Sequence, residues 1–392
     1  MTRPAGRDRP RLIHVTTTDM SLDWLLGPQL RAFAEAGFEV FGASAPGPHV
    51  ARLEQMGIGH VALRHATREM APHRDALALA ELLAVFRDLK PDIVHTHNPK
   101  PGVYGRIAAR LAGVPVVVNT VHGLYALPED PVPKRALVYS LERMAAACSQ
   151  AELLQNEEDL PVLRRLRVPA QRLHLLGNGI DLKRFDPATI GAAGRARMRA
   201  ELGVGPDEVL IGAVGRLVAE KGYVDLLDAF SLVRRWRPEA RLMVVGPSDP
   251  DKGDALPPDL LAWAEREHGV RFLGHRDDVE RLYAAMDLYV LASRREGFPR
   301  SAMEAAAMGL PVVATDIRGC RQVVDHGVNG LLVRVGAVAA LAEALAGMVA
   351  DASRREAMGR EARCKALREF DQQRVVSTTL DVYRRLLAAR DS

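Results

Sequence analysis

The chain has only three cysteines, Cys148, Cys320 and Cys364, and no Cys-x-x-Cys pair among its 392 residues. An odd and widely spaced set builds neither a disulfide framework nor a structural zinc site, so free thiols in a reducing compartment are expected. No stretch of about 18 uninterrupted apolar residues occurs, so no membrane span is indicated. Residues 1–11, with Arg3, Arg7, Arg9 and Arg11, are not followed by an apolar segment of signal-peptide length. They read as a short disordered basic arm on a cytoplasmic protein. Neither Gly-x-Gly-x-x-Gly nor a Gly-Lys-Ser/Thr phosphate loop is present, which disfavours an NAD dehydrogenase and a Walker-type nucleotide site. The two signs of charge are nearly balanced. The net charge is +4, residues 1–185 holding 23 Lys+Arg against 19 Asp+Glu and the remainder 30 against 30. That is no nucleic-acid footprint. The excess can suit an anionic membrane surface or a phosphate-bearing acceptor, with scattered solvated charge the plainer account.

What the sequence does have is alternation. Apolar runs at Leu12–Val15, Val40–Ala43, Ile93–Thr96, Val114–Val118 and Glu152–Gln155 read as strands. The pattern resumes at Val209–Val214, Leu242–Val245, Val270–Leu273, Leu288–Leu291 and Pro311–Ala314. Between them lie stretches with helical spacing, such as Leu22, Leu25, Leu26, Leu30 and Phe33. Strands separated by helices imply βαβ units and parallel sheets. Turn and breaker residues from Gly177-Asn-Gly-Ile-Asp181 through Phe185-Asp-Pro187 to Gly191–Arg199 interrupt the pattern. A hinge there gives two doubly wound α/β domains, residues 12–185 and 186–369. Their ligand is expected beyond the carboxyl ends of the strands, in a cleft between them.

Two segments carry most of the chemistry. In Ser293–Pro311, Glu296 and Glu304 are separated by seven residues, and Pro299 suits a first helical position, leaving Gly297 and Phe298 in the turn before the helix. Free amides at a helix start attract an anion. Carboxylates beside an anion site need other partners, and sugar hydroxyls are suitable ones. Glu296 would reach a transferred sugar and Glu304 a ribose. In Gly212–Gly222, which follows an apolar strand, Gly215 permits close backbone approach, while Arg216 and Lys221 offer positive charge to a departing diphosphate. Each segment alone is also compatible with ordinary surface loops.

Taken together, Gly215-Arg216 with Lys221, the Glu296/Glu304 spacing and Gly309-Leu-Pro-Val-Val resemble the retaining GT-B glycosyltransferases of family 4 (group 1). The resemblance covers nearly the whole chain. In the first half it includes Val94-His-Thr-His-Asn98, Asn119-Thr-Val-His122-Gly123 and Asn178-Gly-Ile-Asp181. Within the family the chain looks most like the capsular and exopolysaccharide enzymes that extend lipid-linked sugars. The resemblance implies a diphosphate clamp at Arg216 and Lys221, a ribose-binding Glu304 and a donor-sugar contact at Glu296. It also implies phosphate and sugar contacts around Gly297 and Phe298, and a sugar-side histidine at His122. The implied reaction moves a sugar from a nucleoside diphosphate, with UDP the expected one, to a hydroxyl of a saccharide or lipid-linked acceptor. Configuration would be retained, with no cofactor and no metal.

Further candidates are weaker. Arg276, in a strand-end loop, can stack on a base through its guanidinium plane. Thr18, Asp19 and His97 are expected on the acceptor side, where Thr16–Ser21 replaces the Gly-rich loop of many family members. Asp19 or Ser21 can cap the following helix. Gly319-Cys-Arg-Gln322 stands where many members carry a Glu. His95 and His97 can share one strand face, but a metal site would need a third ligand that the sequence does not identify. Asp249-Pro-Asp251 has the spelling of a metal motif from another fold and reads as a turn. Helix 370–392 is expected to pack back on the first domain. A sugar-nucleotide epimerase and a non-catalytic sugar-nucleotide-binding subunit are the alternative readings.

Overall fold

The computed structural model describes residues 9–67, 71–97, 99–126, 130–249 and 253–391. They form two compact units, residues 1–177 with 373–392 and residues 178–372. Each is a parallel sheet with helices on both faces. In the first unit the strands are β1 (Arg11–Thr18), β2 (Glu39–Ala45), β3 (Gly59–Ala62), β4 (Ile93–His97), β5 (Val116–Val121), β6 (Ala151–Leu154) and β7 (Leu173–Leu175). Their order across the sheet is β3-β2-β1-β4-β5-β6-β7. The second unit has β8 (Val209–Val214), β9 (Ala240–Val245), β10 (Arg271–Phe272), β11 (Leu288–Leu291), β12 (Val312–Thr315) and β13 (Gly330–Val333), in the order β10-β9-β8-β11-β12-β13. The order in which successive strands are laid down reverses between β1 and β4 and again between β8 and β11, all pairs remaining parallel. Beyond the carboxyl ends of such strand pairs the helices diverge and leave a crevice.

Strand alternation fills both faces of each sheet. Leu12 packs with Ile93, Val116, Val118 and the helix Gln372–Asp391, whose Val376, Leu380 and Tyr383 recur at helical spacing. Ile13 and Val15 face the other way, onto Leu82, Phe86 and Ala108. The second unit repeats this, Ile211 and Leu210 belonging to opposite cores.

Four sequence expectations change. Arg11 opens β1 instead of closing a disordered arm, because its Nε bonds Glu39 Oε2 at 2.7 Å and its backbone N–H bonds Asp92 at 2.9 Å; Met1–Asp8 lie outside the described residues. The unit boundary falls at Gly177, before the expected 185, since Ile180 and Phe185 are buried in the second unit's core. Residues 191–199 are not a breaker segment. They lie in a helix, Pro187–Glu201, kinked at Gly191, whose φ of 65° a glycine tolerates. Short edge strands β3, β7 and β13 went unread, having too few residues to show a period.

On one face of the first sheet lies a buried charged row. Arg106, fully buried, donates from Nη1 to Glu152 Oε1 at 2.7 Å and from Nη2 to Glu142 Oε1 at 2.8 Å. Asn119 Nδ2 donates to the other Glu152 oxygen at 2.7 Å, and Thr96 Oγ1 donates to Asn119 Oδ1 at 2.9 Å. Burial works against the Arg106 charge, and the two carboxylates outweigh it. Removing one member of a buried ionic set strands the others without partners. Arg106→Ala is therefore expected to cost about 3–5 kcal/mol of stability, read from urea denaturation of the variant against the parent chain.

Candidate functional site

In the second unit the loops after β8 and β11, the switch-point pair, bring the expected donor-binding residues together. Arg216 and Lys221 follow β8, and Glu296 follows β11. Lys221 Nζ lies 2.6 Å from Glu296 Oε1. The same oxygen accepts from Ser293 Oγ at 2.7 Å, so a serine at the strand end, unremarked in the sequence reading, helps fix the carboxylate. Two glycines permit this packing. Gly222 has φ 71°, and a Cβ there would sit 1.9 Å from the Ala292 carbonyl oxygen. A Cβ on Gly319 would meet the Glu296 backbone at 2.6 Å. The departure from the family pattern at Gly319 thus lies directly behind Glu296.

Arg216 donates from Nη1 to Asp249 Oδ2 at 2.8 Å. Asp249, expected only as a turn residue, is thereby an ion-pair partner of Arg216; Pro250 and Asp251 lie outside the described residues. Gly215 bonds the β9 backbone through its N–H, and its carbonyl accepts the Tyr223 hydroxyl at 2.9 Å. Pro299 caps the helix Arg300–Ala307, one residue earlier than a first-turn position, and Gly297 and Phe298 precede it. The Phe298 carbonyl accepts from Asn178 Nδ2 at 3.2 Å, which gives the Asn178–Asp181 motif its role as a brace for this loop. Glu304, partly buried on that helix, accepts from the Tyr283 hydroxyl at 3.1 Å. Burial raises its pKa, with Arg300 opposing. Arg276 is held by Asp278 through two bonds of 2.7 Å, which fixes its guanidinium plane.

The first unit's candidates are more enclosed. Thr18 Oγ1 lies 3.1 Å from Ser21 Oγ, at the start of a π-helical turn, Ser21–Leu26. Neither Asp19 nor Ser21 caps that turn. Buried Asp19 accepts from the backbone N–H groups of Met20 at 2.9 Å and His49 at 2.8 Å, bracing the loop after β2. His97, expected on the acceptor side, is buried with both ring nitrogens bonded, to His14 at 2.9 Å and to His122 at 2.8 Å. His122 in turn contacts Gln155 Oε1 at 3.0 Å through Nδ1. The third histidine missing from the sequence reading of a metal site is His14 on β1, whose ring nitrogen comes within 4.8 Å of ring nitrogens of His95 and His97. The rings of His95 and His97 stack at 4.6 Å with an interplanar angle of 19°, however, so their in-plane lone pairs run side by side. Hydrogen bonding accounts for this cluster better than a shared ion.

Comparison with known proteins agrees across both units. Residues 29–184 match the family described as Glycosyltransferase Family 4, and residues 208–351 match that described as Glycosyl transferases group 1. The chain is 30% identical to the UDP-Gal:alpha-D-GlcNAc-diphosphoundecaprenol alpha-1,3-galactosyltransferase of Escherichia coli, over 81% of each protein. It is 25% identical to the capsular polysaccharide biosynthesis glycosyltransferase CapM of Staphylococcus aureus, over 93% of this chain and 94% of that one. Among solved structures, Anabaena HepE in complex with UDP and glucose superposes with a TM-score of 0.79 at 21% identity, covering 96% of this chain and 100% of that one. That likeness shows the fold, GT-B.

The buried histidines set a pH dependence. Burial lowers His14 to about 3 and His122 to about 4, the Gln155 bond partly opposing the shift at His122. It also carries His95 and His97 well below the usual value, helped by the neighbouring histidines. The unfolded chain therefore binds more protons than the folded one from about pH 6.5 downward, and stability falls as pH drops through that interval. Urea midpoints are expected to decline from pH 6.5 to pH 4. Each histidine contributes at most about 1.4 kcal/mol per pH unit, and His14→Gln should flatten the slope.

Proposed function

The chain belongs to the group 1, family 4 glycosyltransferases and is a glycosyltransferase, and from this premise we propose a specific reaction. A sugar passes from a UDP-sugar to a hydroxyl of a lipid-linked saccharide in polysaccharide or glycoconjugate synthesis, with anomeric configuration retained and no metal required. The relative from Escherichia coli uses UDP-Gal and a diphosphoundecaprenol-linked acceptor by name, which supports both substrate classes.

The observation that carries the reading is the 2.6 Å contact between Lys221 and Glu296. Cleavage of a glycosyl phosphate separates a sugar carbon from a phosphate oxygen, leaving negative charge on the diphosphate. A cation for the leaving group and a carboxylate for the sugar hydroxyls must then stand side by side, as these do. Arg216 adds a second cation, Gly215, Gly297 and Phe298 line the approach with backbone, and Glu304 takes the ribose hydroxyls. Fixed cations of this kind do the work a divalent ion performs elsewhere. Arg276 presents its face to the base. In this reading His122 is a sugar-side residue, and Thr18, Asp19 and His97 support the acceptor loops. The acceptor hydroxyl attacks from the side the diphosphate leaves, and its proton passes to a departing phosphate oxygen.

A lipid-linked acceptor places the enzyme at the cytoplasmic membrane surface. No helix of the described residues is long and apolar enough to cross a membrane. The helix Val132–Ala146 instead exposes Val132, Leu137 and Met144, interleaved with Lys134, Arg135 and Arg143. Exposed apolar side chains among cations, with Leu137 and Met144 on one side of the helix, suit an anionic lipid interface.

Four measurements check this. A thermal-shift screen of UDP-, GDP- and ADP-sugars should give a shift for a UDP-sugar that Arg216→Ala abolishes. Calorimetry should show Glu304→Ala weakening donor binding by about 1.5–3 kcal/mol, with turnover and its α/β product ratio unchanged by EDTA. Sedimentation with anionic vesicles should retain the parent chain and lose Leu137→Glu; equal retention removes the helix from the interface.

A further inference from the structure

The face of the first sheet under helix Gln372–Asp391 turns from apolar to polar toward the carboxyl ends of its strands. Leu12 leads to His14, Ile93 to His95 and His97, Val116 and Val118 to Thr120 and His122, and Leu153 to Gln155. A side-chain period of two keeps each series on one face. Parallel pairing sets His14 beside His95 and His97 beside Thr120. Tyr383 of the helix enters between them, its hydroxyl bonding His95 Nδ1 and lying 3.4 Å from His14 Nε2.

A neutral imidazole offers one donor and one acceptor nitrogen, so a partner at each end fixes its tautomer. Gln155 Oε1 only accepts, so His122 carries its proton on Nδ1 and accepts at Nε2. His97 must then donate to it from Nδ1 and accept at Nε2, where His14 donates from its own Nδ1. His14 Nε2 is left to accept from the Tyr383 hydroxyl, whose oxygen accepts from His95 Nδ1. His95 Nε2 accepts from the Thr120 hydroxyl at 2.7 Å. Each assignment follows from the one before, that of His95 by way of the 3.4 Å Tyr383–His14 contact, and none of these contacts brings two donors or two acceptors together. Hydrogen bonds aligned in this way polarise one another in a dry interior.

We propose that this chain is a positioning device for the transfer reaction, in which Tyr383, His14 and His97 hold His122 neutral, in its Nδ1–H tautomer and at a fixed ring angle. The inference rests on the reading that places His122 on the donor-sugar side. With both nitrogens committed inside the unit, His122 acts as an oriented wall and not as an acid or base. Helix Gln372–Asp391 thereby reaches the sugar-side residue through a continuous run of hydrogen bonds.

The test uses the full chain labelled with ¹⁵N, with ring signals assigned by single His→Gln substitutions. At pH 7, His14, His95, His97 and His122 are expected as Nδ1–H tautomers, the minor form of histidine free in water. Tyr383→Phe should leave His14 Nε2 without a donor and shift the His122 signals toward a mixture of tautomers. The same variant should lower kcat about tenfold, with the donor KM changing less than about twofold, as for a displaced positioning group. An Nε2–H or charged ring among the four in the parent chain overturns the proposal. So do stoichiometric zinc uptake that moves these signals, or a His122 spectrum indifferent to Tyr383→Phe. Should that variant not fold, the parent spectrum decides alone. Undiminished transfer by His122→Ala, with the expected spectra intact, would instead overturn the sugar-side assignment of His122, a failure visible apart from that of the chain.

Discussion

A parallel strand can follow another only if the chain returns to the same end of the sheet, so every strand's carboxyl end opens on one side. This constraint arranges the rest of the molecule. It collects the loops after β8 and β11 at one switch point, where Lys221 and Glu296 meet. It also aligns the ends of β1, β4, β5 and β6, so that polar residues placed late in adjacent strands become neighbours although they are far apart in the chain, as with His14 and His97, 83 positions apart.

The two faces of the first sheet handle buried polarity in opposite ways. One face keeps full charges and pairs them, Arg106 between Glu142 and Glu152 with Asn119 and Thr96 completing the row. The other keeps titratable groups and holds them neutral. Desolvating an unpaired imidazolium there would cost more than the hydrogen bonds of a neutral ring return, which is why burial dominates the shifts of His14, His95 and His97. The ionic row tolerates burial through strong pairing, and the imidazole row through directionality.

Much of this was legible in the sequence, because the signals were local. Val209–Val214 and Leu288–Leu291 coincide with strands, and the loops after them hold Arg216, Lys221 and Glu296. What stayed hidden depends on pairing across the sheet. Nothing near His14 announces that β1 will lie against β4, and nothing near Arg106 announces two carboxylates 36 and 46 positions away. Asp249 looked like a turn because its partner, Arg216, is 33 positions distant. The helix Pro187–Glu201 was concealed by its glycines, one of which does interrupt the helical backbone.

The last helix belongs to the first unit, although the whole second unit precedes it in the chain. A ribosome making this protein therefore delivers every residue of the second unit before it releases Val376, Leu380 and Tyr383, which complete the first unit's core. Domains usually finish folding in the order they are made. Here the order is inverted: the unit begun first is finished last, and a nascent chain that stalls near its end carries a sealed second unit and an open first one.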